Sequence, residues 1–280
     1  MKKALLLFVL LSASIHLYSL QWPVQADFLE SSFLEEYNGE VFPGLIFRGY
    51  DSMRPFDYGE TIFRFSPEDY SPLPSMDGSM LVLEHENGFQ SIYTHISSKE
   101  TRADRNRLSA GEYLKSPGGG KYPGICHFYI RDALQNQLVN PLILLPLIKD
   151  SNPPVIESIL LADSENEYEL NNDLILPVGH YDVYVKGLDN NKGGKTKSPF
   201  GFTLYNLGTL QLERALDSVN QKDNELAFDD GVEVSSVFLK PGYLYLGGIT
   251  LTSGQAKLEI FLSDVQGNEL SRAYSLEVVR

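Results

Sequence analysis

The chain has a single cysteine, Cys126, and a single tryptophan among 280 residues, and only five histidines. One cysteine forms no intrachain disulfide, so stability must come from packing, even in an oxidising compartment. Basic side chains are also scarce. There are 23 Lys and Arg against 37 Asp and Glu, a formal net charge of −14. No arginine or lysine run interrupts this excess, which disfavours nucleic acid and acidic membrane surfaces as partners. Nucleotide binding lacks a signature as well. The "PGGGK" at 117–121 has neither the spacing nor the Ser/Thr of a phosphate loop and reads as a turn. There is no Gly-x-Ser-x-Gly elbow, and pairs such as Glu35-Glu36 and Asp229-Asp230 read as solvated turns. Helix signals are few. "DFLESSFLEEY", 27–37, has some helical spacing but fits two short strands equally.

Two lysines followed by an apolar run, Ala4 to Leu11, open the chain. The run is short for a bilayer crossing, which favours a secretory signal peptide over residues 1–19 and export to the periplasm or cell envelope. The rest reads as all-β: short apolar runs such as "SMLVLEH", "FQSIYTHI" and "ICHFYI" alternate with Gly, Pro, Asn and Asp clusters. "LEHENGFQSIYTHI" predicts a hairpin turning at Glu86-Asn87-Gly88. "KDSNPPVIE" marks a boundary near residue 150, where two prolines restrict the backbone before a new strand. Residues 20–150 then form one β domain. Residues 151–280, with strands at sandwich spacing and a turn at Gln266-Gly267-Asn268, form an immunoglobulin-like β-sandwich.

Several phrases of the first half, in order, carry a resemblance: "QWPV", "FPGLIF", "YGETIF", "SMLVLEHENGFQSIYTHIS", "LSAGEYLKSPGGG", and "GICHFYIRD" followed by "VNPLILLP". Together they resemble the LytM/lysostaphin-type zinc peptidases, which cleave peptide cross-links of bacterial cell walls. The resemblance implies three zinc ligands, a His and an Asp from His-x-x-x-Asp and the second His of His-x-His. It also implies two proton-handling histidines. Carried over, His127 stands at the third ligand position and His95 at the catalytic histidine of Tyr-x-His. The other positions depart from the pattern: Ile125 replaces the first His of His-x-His, Phe42 replaces the ligand His, and Ile46 replaces the Asp. A second placement on "FRGYD" recovers Asp51 but still puts Phe47 where histidine belongs.

Catalytic zinc takes about three protein ligands and leaves one position open for water. Phenylalanine and isoleucine offer no lone pair, so zinc is not an expected cofactor. The leading expectation is an exported, non-catalytic module that binds a peptidoglycan peptide or an envelope protein such as a cell-wall hydrolase. One alternative is an active zinc endopeptidase with a rearranged ligand set, in which Asp51 or His85 converges with His127. The other is a structural envelope protein. As for the remaining groups, His85 reads as a surface residue at the hairpin and His180 as a turn residue without chemistry. Cys126 reads as a small buried residue on the strand face opposite His127.

Overall fold

The computed structural model describes residues 20–50, 52–65, 78–96, 106–109, 112–114, 124–190, 196–222 and 225–280. The leader segment 1–19, Asp51 and the 117–121 turn lie outside the described residues. The described elements are strands apart from one four-residue helix, α1 (Val234–Val237), and 3-10 turns such as Ala26–Phe28 and Pro141–Ile143. The protein is all-β.

The first half runs through β1 (Leu29–Ser31), β2 (Glu35–Tyr37), β3 (Glu40–Phe42), β4 (Leu45–Arg48) and β5 (Gly59–Phe65). It continues through β6 (Ser79–Glu84), β7 (Phe89–Ile96), β8 (Arg107–Leu108), β9 (Ile125–Asp132) and β10 (Gln137–Val139). The 27–37 segment thus takes the two-strand option. The β6–β7 hairpin turns where its sequence requires: Gly88 has φ +83°, and Asn87 Oδ1 accepts from Phe89 N at 3.2 Å.

β9 organises this sheet. One of its edges pairs with β7; the other pairs first with β4 and then with β10, all antiparallel. Its alternation separates two environments. Cys126, Phe128 and Ile130 are almost fully buried and pack with Leu45, Phe47, Leu81, Leu83 and Tyr93. Ile125, His127 and Tyr129 face the other side, as period-two geometry dictates.

The second half begins with β11 (Val155–Ala162), β12 (Glu167–Glu169), β13 (Ile175–Pro177), β14 (Gly179–Asn190), β15 (Thr196–Lys197) and β16 (Gly201–Asn206). After these come β17 (Thr209–Ala215), β18 (Ser218–Lys222), β19 (Glu225–Ala227), β20 (Leu244–Leu251), β21 (Gly254–Ser263) and β22 (Glu269–Val279). One sheet has the order β12-β11-β14-β15, with β20 also on β14; the other has the order β13-β22-β21-β16-β17. Between them lies a core that includes Ile159, Val183, Leu204, Leu246 and Ile260, each 0–1% exposed. His180 lies within β14 rather than at a turn, with its Nδ1 3.3 Å from Thr250 Oγ1.

β18 and β19 leave these two sheets. β18 pairs with β10, so the sheet order β19-β18-β10-β9-β7-β6-β5-β8 carries residues 218–227 across the boundary read near residue 150. Buried Asn140 fixes this crossing. Its N–H donates to Asp217 O at 2.7 Å, its Nδ2 donates to Leu216 O at 2.7 Å, and its Oδ1 accepts from Leu142 N at 3.0 Å. In the reverse direction, Phe33 and Leu34 bury themselves in the core of the second half. Two such side chains contribute about 1.5–3 kcal/mol each in transfer free energy. The two halves are therefore joined by a shared sheet and by core residues that the first half places in the second.

Candidate functional site

The face of β9 that carries His127 is roofed by the β2–β3 hairpin. That hairpin turns at Asn38-Gly39, with φ +55° and +87°, the pair of positive angles that a two-residue Asn-Gly turn supplies. Tyr37 and Glu40 are its last cross-strand pair, and Phe42, two residues beyond Glu40, shares their face. Together with Ile125, His127, Tyr129 and His95 they border a cleft of about 510 Å³.

The rings meet closely. His127 lies 4.8 Å from Phe42 and 4.5 Å from His95 between ring centroids, both edge-on. Tyr37 approaches His127 at 6.4 Å, and Phe42 lies 5.0 Å from Tyr129. His95 reaches this position by a backbone irregularity. The β6–β7 register shifts between Ser79 and Met80, so that Ser79 pairs with Ile96 and Met80 with Thr94. His95 is the extra residue, with φ +61°. A bulge of this kind re-aims one side chain, here bringing the His95 ring against His127. Gly78 makes room, since a Cβ there would come within 3.3 Å of His95 Nδ1.

Burial, and next the neighbouring His95, push the His127 pKa down to about 4. The imidazole is therefore neutral at pH 7, with one ring N–H and one lone pair. The cleft floor can donate and accept hydrogen bonds without carrying charge.

The three apolar residues at the expected donor positions are all close to His127. Phe42 is in ring contact. Ile46 is its direct partner on β4 and fully buried. Ile125 lies two residues earlier on the same strand face. The "FPGLI" placement thus brings its two positions to the histidines. Asp51, from the second placement, lies outside the described residues.

His85 is not a surface residue. It is 3% exposed, on the far side of the β6–β7 hairpin base, and both ring nitrogens are engaged. Nδ1 lies 2.7 Å from Tyr58 O, which only accepts, so Nδ1 carries the proton. Nε2 then accepts from Ser91 Oγ at 2.8 Å. Burial lowers its pKa, against weaker opposing effects from Tyr58 O and Asp57. The alternation of glutamate, histidine and serine around a turn conceals this role, because only the tertiary fold brings Tyr58 to the ring. Cys126 is fully buried, donates to His127 O at 3.4 Å, and has its thiol pKa raised by burial. It is an inert core residue.

Among the described residues no group of three His, Cys, Asp or Glu side chains is placed to hold a metal ion. Two imidazoles surrounded by phenylalanine and isoleucine do not fit a catalytic zinc. Tyr37, Glu40 and Tyr129 were not singled out by motif. The signal that points to the first two is the dipeptide Asn38-Gly39 within "EEYNGEVF", a two-residue hairpin-turn cue.

Comparison with known proteins adds the following. Residues 153–279 match the model of an uncharacterised family. No curated protein matches. Among solved structures, a zinc-containing peptidase from Vibrio cholerae is similar at 19% identity, over 40% of this chain and 36% of that one, with a TM-score of 0.31. The extracellular domain of a putative one-component system from B. thetaiotaomicron is similar at 9% identity, over 78% of this chain and 31% of that one, with a TM-score of 0.23. A putative hybrid two-component system from the same organism gives 9%, 79%, 30% and 0.26. The chain spans about a third of the length of these structures. None of these likenesses assigns a role to a residue of the cleft.

Proposed function

We propose that the protein is an exported binding module whose His95–His127 cleft holds an extended peptide without cutting it. The partner is a cell-wall peptide or an envelope protein such as a cell-wall hydrolase. The resemblance of residues 21–147 to LytM-type peptidases suggests a peptide groove. The observation that carries the non-catalytic part is the set of residues packed on His127: Phe42, Ile46 and Ile125 supply no lone pair where a peptidase needs metal donors. Without a polarised water, a neutral imidazole pair has no route to attack an amide at a useful rate. It does have what recognition needs: a cleft within the usual size range of ligand sites, apolar walls, and a few convergent polar atoms.

The test joins binding with turnover. Purified protein is titrated with short cell-wall peptides while the ring C–H signals of His95 and His127 are followed by NMR, and cell walls incubated with the protein are analysed for released fragments. The reading expects shifts of both rings and no fragments. Fragment release that disappears in His127→Ala overturns the non-catalytic assignment. Unmoved rings with every peptide overturn the cleft as the binding site.

A further inference from the structure

The cleft has a chemical bias. Five aromatic rings border it, those of Tyr37, Phe42, His95, His127 and Tyr129, together with the carboxylate-bearing residue Glu40 at the hairpin end. None of its described lining residues is a lysine or arginine. We propose that this cleft selects a primary alkylammonium group, presented by a lysine-type side chain or by the free amino end of a peptide. This rests on the peptide-binding reading above and narrows its ligand.

Three features support the choice. First, a cation is attracted to a ring face within about 6 Å of the centroid. The 4.8–6.4 Å spacings group these rings along one wall of the cleft, so a cation docked against that wall has more than one ring beside it. Second, Glu40 pairs with Tyr37 across the hairpin and is exposed, so its carboxylate is available to a ligand's N–H groups. An ammonium carries three such donors and a quaternary amine none, which favours the primary form. Third, His127 adds no opposing charge to the floor, because burial keeps it neutral at pH 7. The nearby cation, Arg48, donates to the Tyr37 hydroxyl at 2.6 Å and pairs with Glu30 at 3.7 Å, so its charge is directed to that carboxylate. A carboxylate-ended ligand would meet Glu40 with no lysine or arginine among the described lining residues to receive it.

The experiment compares three capped tripeptides by calorimetry and by histidine NMR: Ala-Lys-Ala, the same peptide with Nε-acetyl-lysine, and the same peptide with norleucine. The lysine peptide is expected to bind about 3- to 10-fold more tightly than the other two, the range that one cation–π and carboxylate contact gives. Glu40→Gln, an exposed change of nearly equal volume, should remove most of that preference, read within the variant as the ratio of its lysine-peptide to norleucine-peptide affinities, so that any general loss of peptide binding cancels. Equal affinity for all three peptides, with the His127 ring shifting in each case, overturns the ammonium preference alone. No shift with any peptide overturns both this proposal and the peptide-binding reading.

Discussion

Protonating His127 should weaken the fold, and the size of the effect follows from its surroundings. The folded-state pKa is pushed from 6.5 down to about 4, by burial first and by the His95 ring second. Between those values the unfolded chain binds a proton that the native protein refuses, so stability falls as the pH drops from 6.5 towards 4 and levels off below. The full shift corresponds to roughly 3 kcal/mol; the partial opening of the cleft to solvent reduces this to about 1.5–2 kcal/mol. Other groups titrate in the same range, so the measurement must be differential. Urea denaturation of the wild type and of His127→Leu at pH 7.5 and pH 4.5 isolates the term, because effects shared by both proteins cancel. The wild type should lose about 1–1.5 kcal/mol more than the variant over that interval, most of the full amplitude. An equal loss in both, or an NMR titration placing His127 at or above 6.5, would refute the picture of a neutral, desolvated ring.

Other perturbations separate the structural groups from the cleft. His85→Leu removes the ring hydrogen bonds to Tyr58 O and Ser91 Oγ in the interior, so chemical denaturation should show a loss of about 2–3 kcal/mol with peptide affinity unaltered. Asp189, where the halves meet, has its pKa raised to about 6 by burial and then by Asp264, Asp150 and Glu35. Its destabilising ionisation sets in as the pH rises from 3.8 through 6. Asp189→Asn should therefore stabilise the protein at pH 7.5 by about 1 kcal/mol, after allowance for solvent screening, with the gain gone at pH 3.5 in the same melts. Gly39→Val puts a β-branched side chain at φ +87°, in open space, so only backbone strain opposes it. It should cost about 1–2 kcal/mol of hairpin stability and weaken peptide binding, measured by calorimetry, without shifting the core.

Much of the strand content was legible because it is written locally. The Asn87-Gly88 turn and the alternation of β6, β7 and β9 fix which side chains enter the core, and Cys126 falls opposite His127 by parity alone. The candidate pair was legible too: His95 and His127, 32 residues apart in the sequence, meet at 4.5 Å between ring centroids because β7 and β9 are paired.

 The bulge that turns His95 onto His127 was not legible, because its positive φ depends on how β6 pairs with β7 rather than on a glycine in the sequence. Three other features also depend on long-range pairing: the departure of β18 to β10, the burial of His85 against Tyr58 O, and the closure of the β2–β3 hairpin over the cleft. Each is decided by partners distant in sequence, where local pattern carries no register information.

The measurement that bears most directly on the central claim is a metal assay on the cleft. Purified protein is equilibrated with excess zinc, freed of loosely held ions by gel filtration, and analysed for bound metal alongside His127→Ala. The account predicts well under one zinc per chain in both proteins. One zinc per chain in the wild type, lost in His127→Ala, would contradict it.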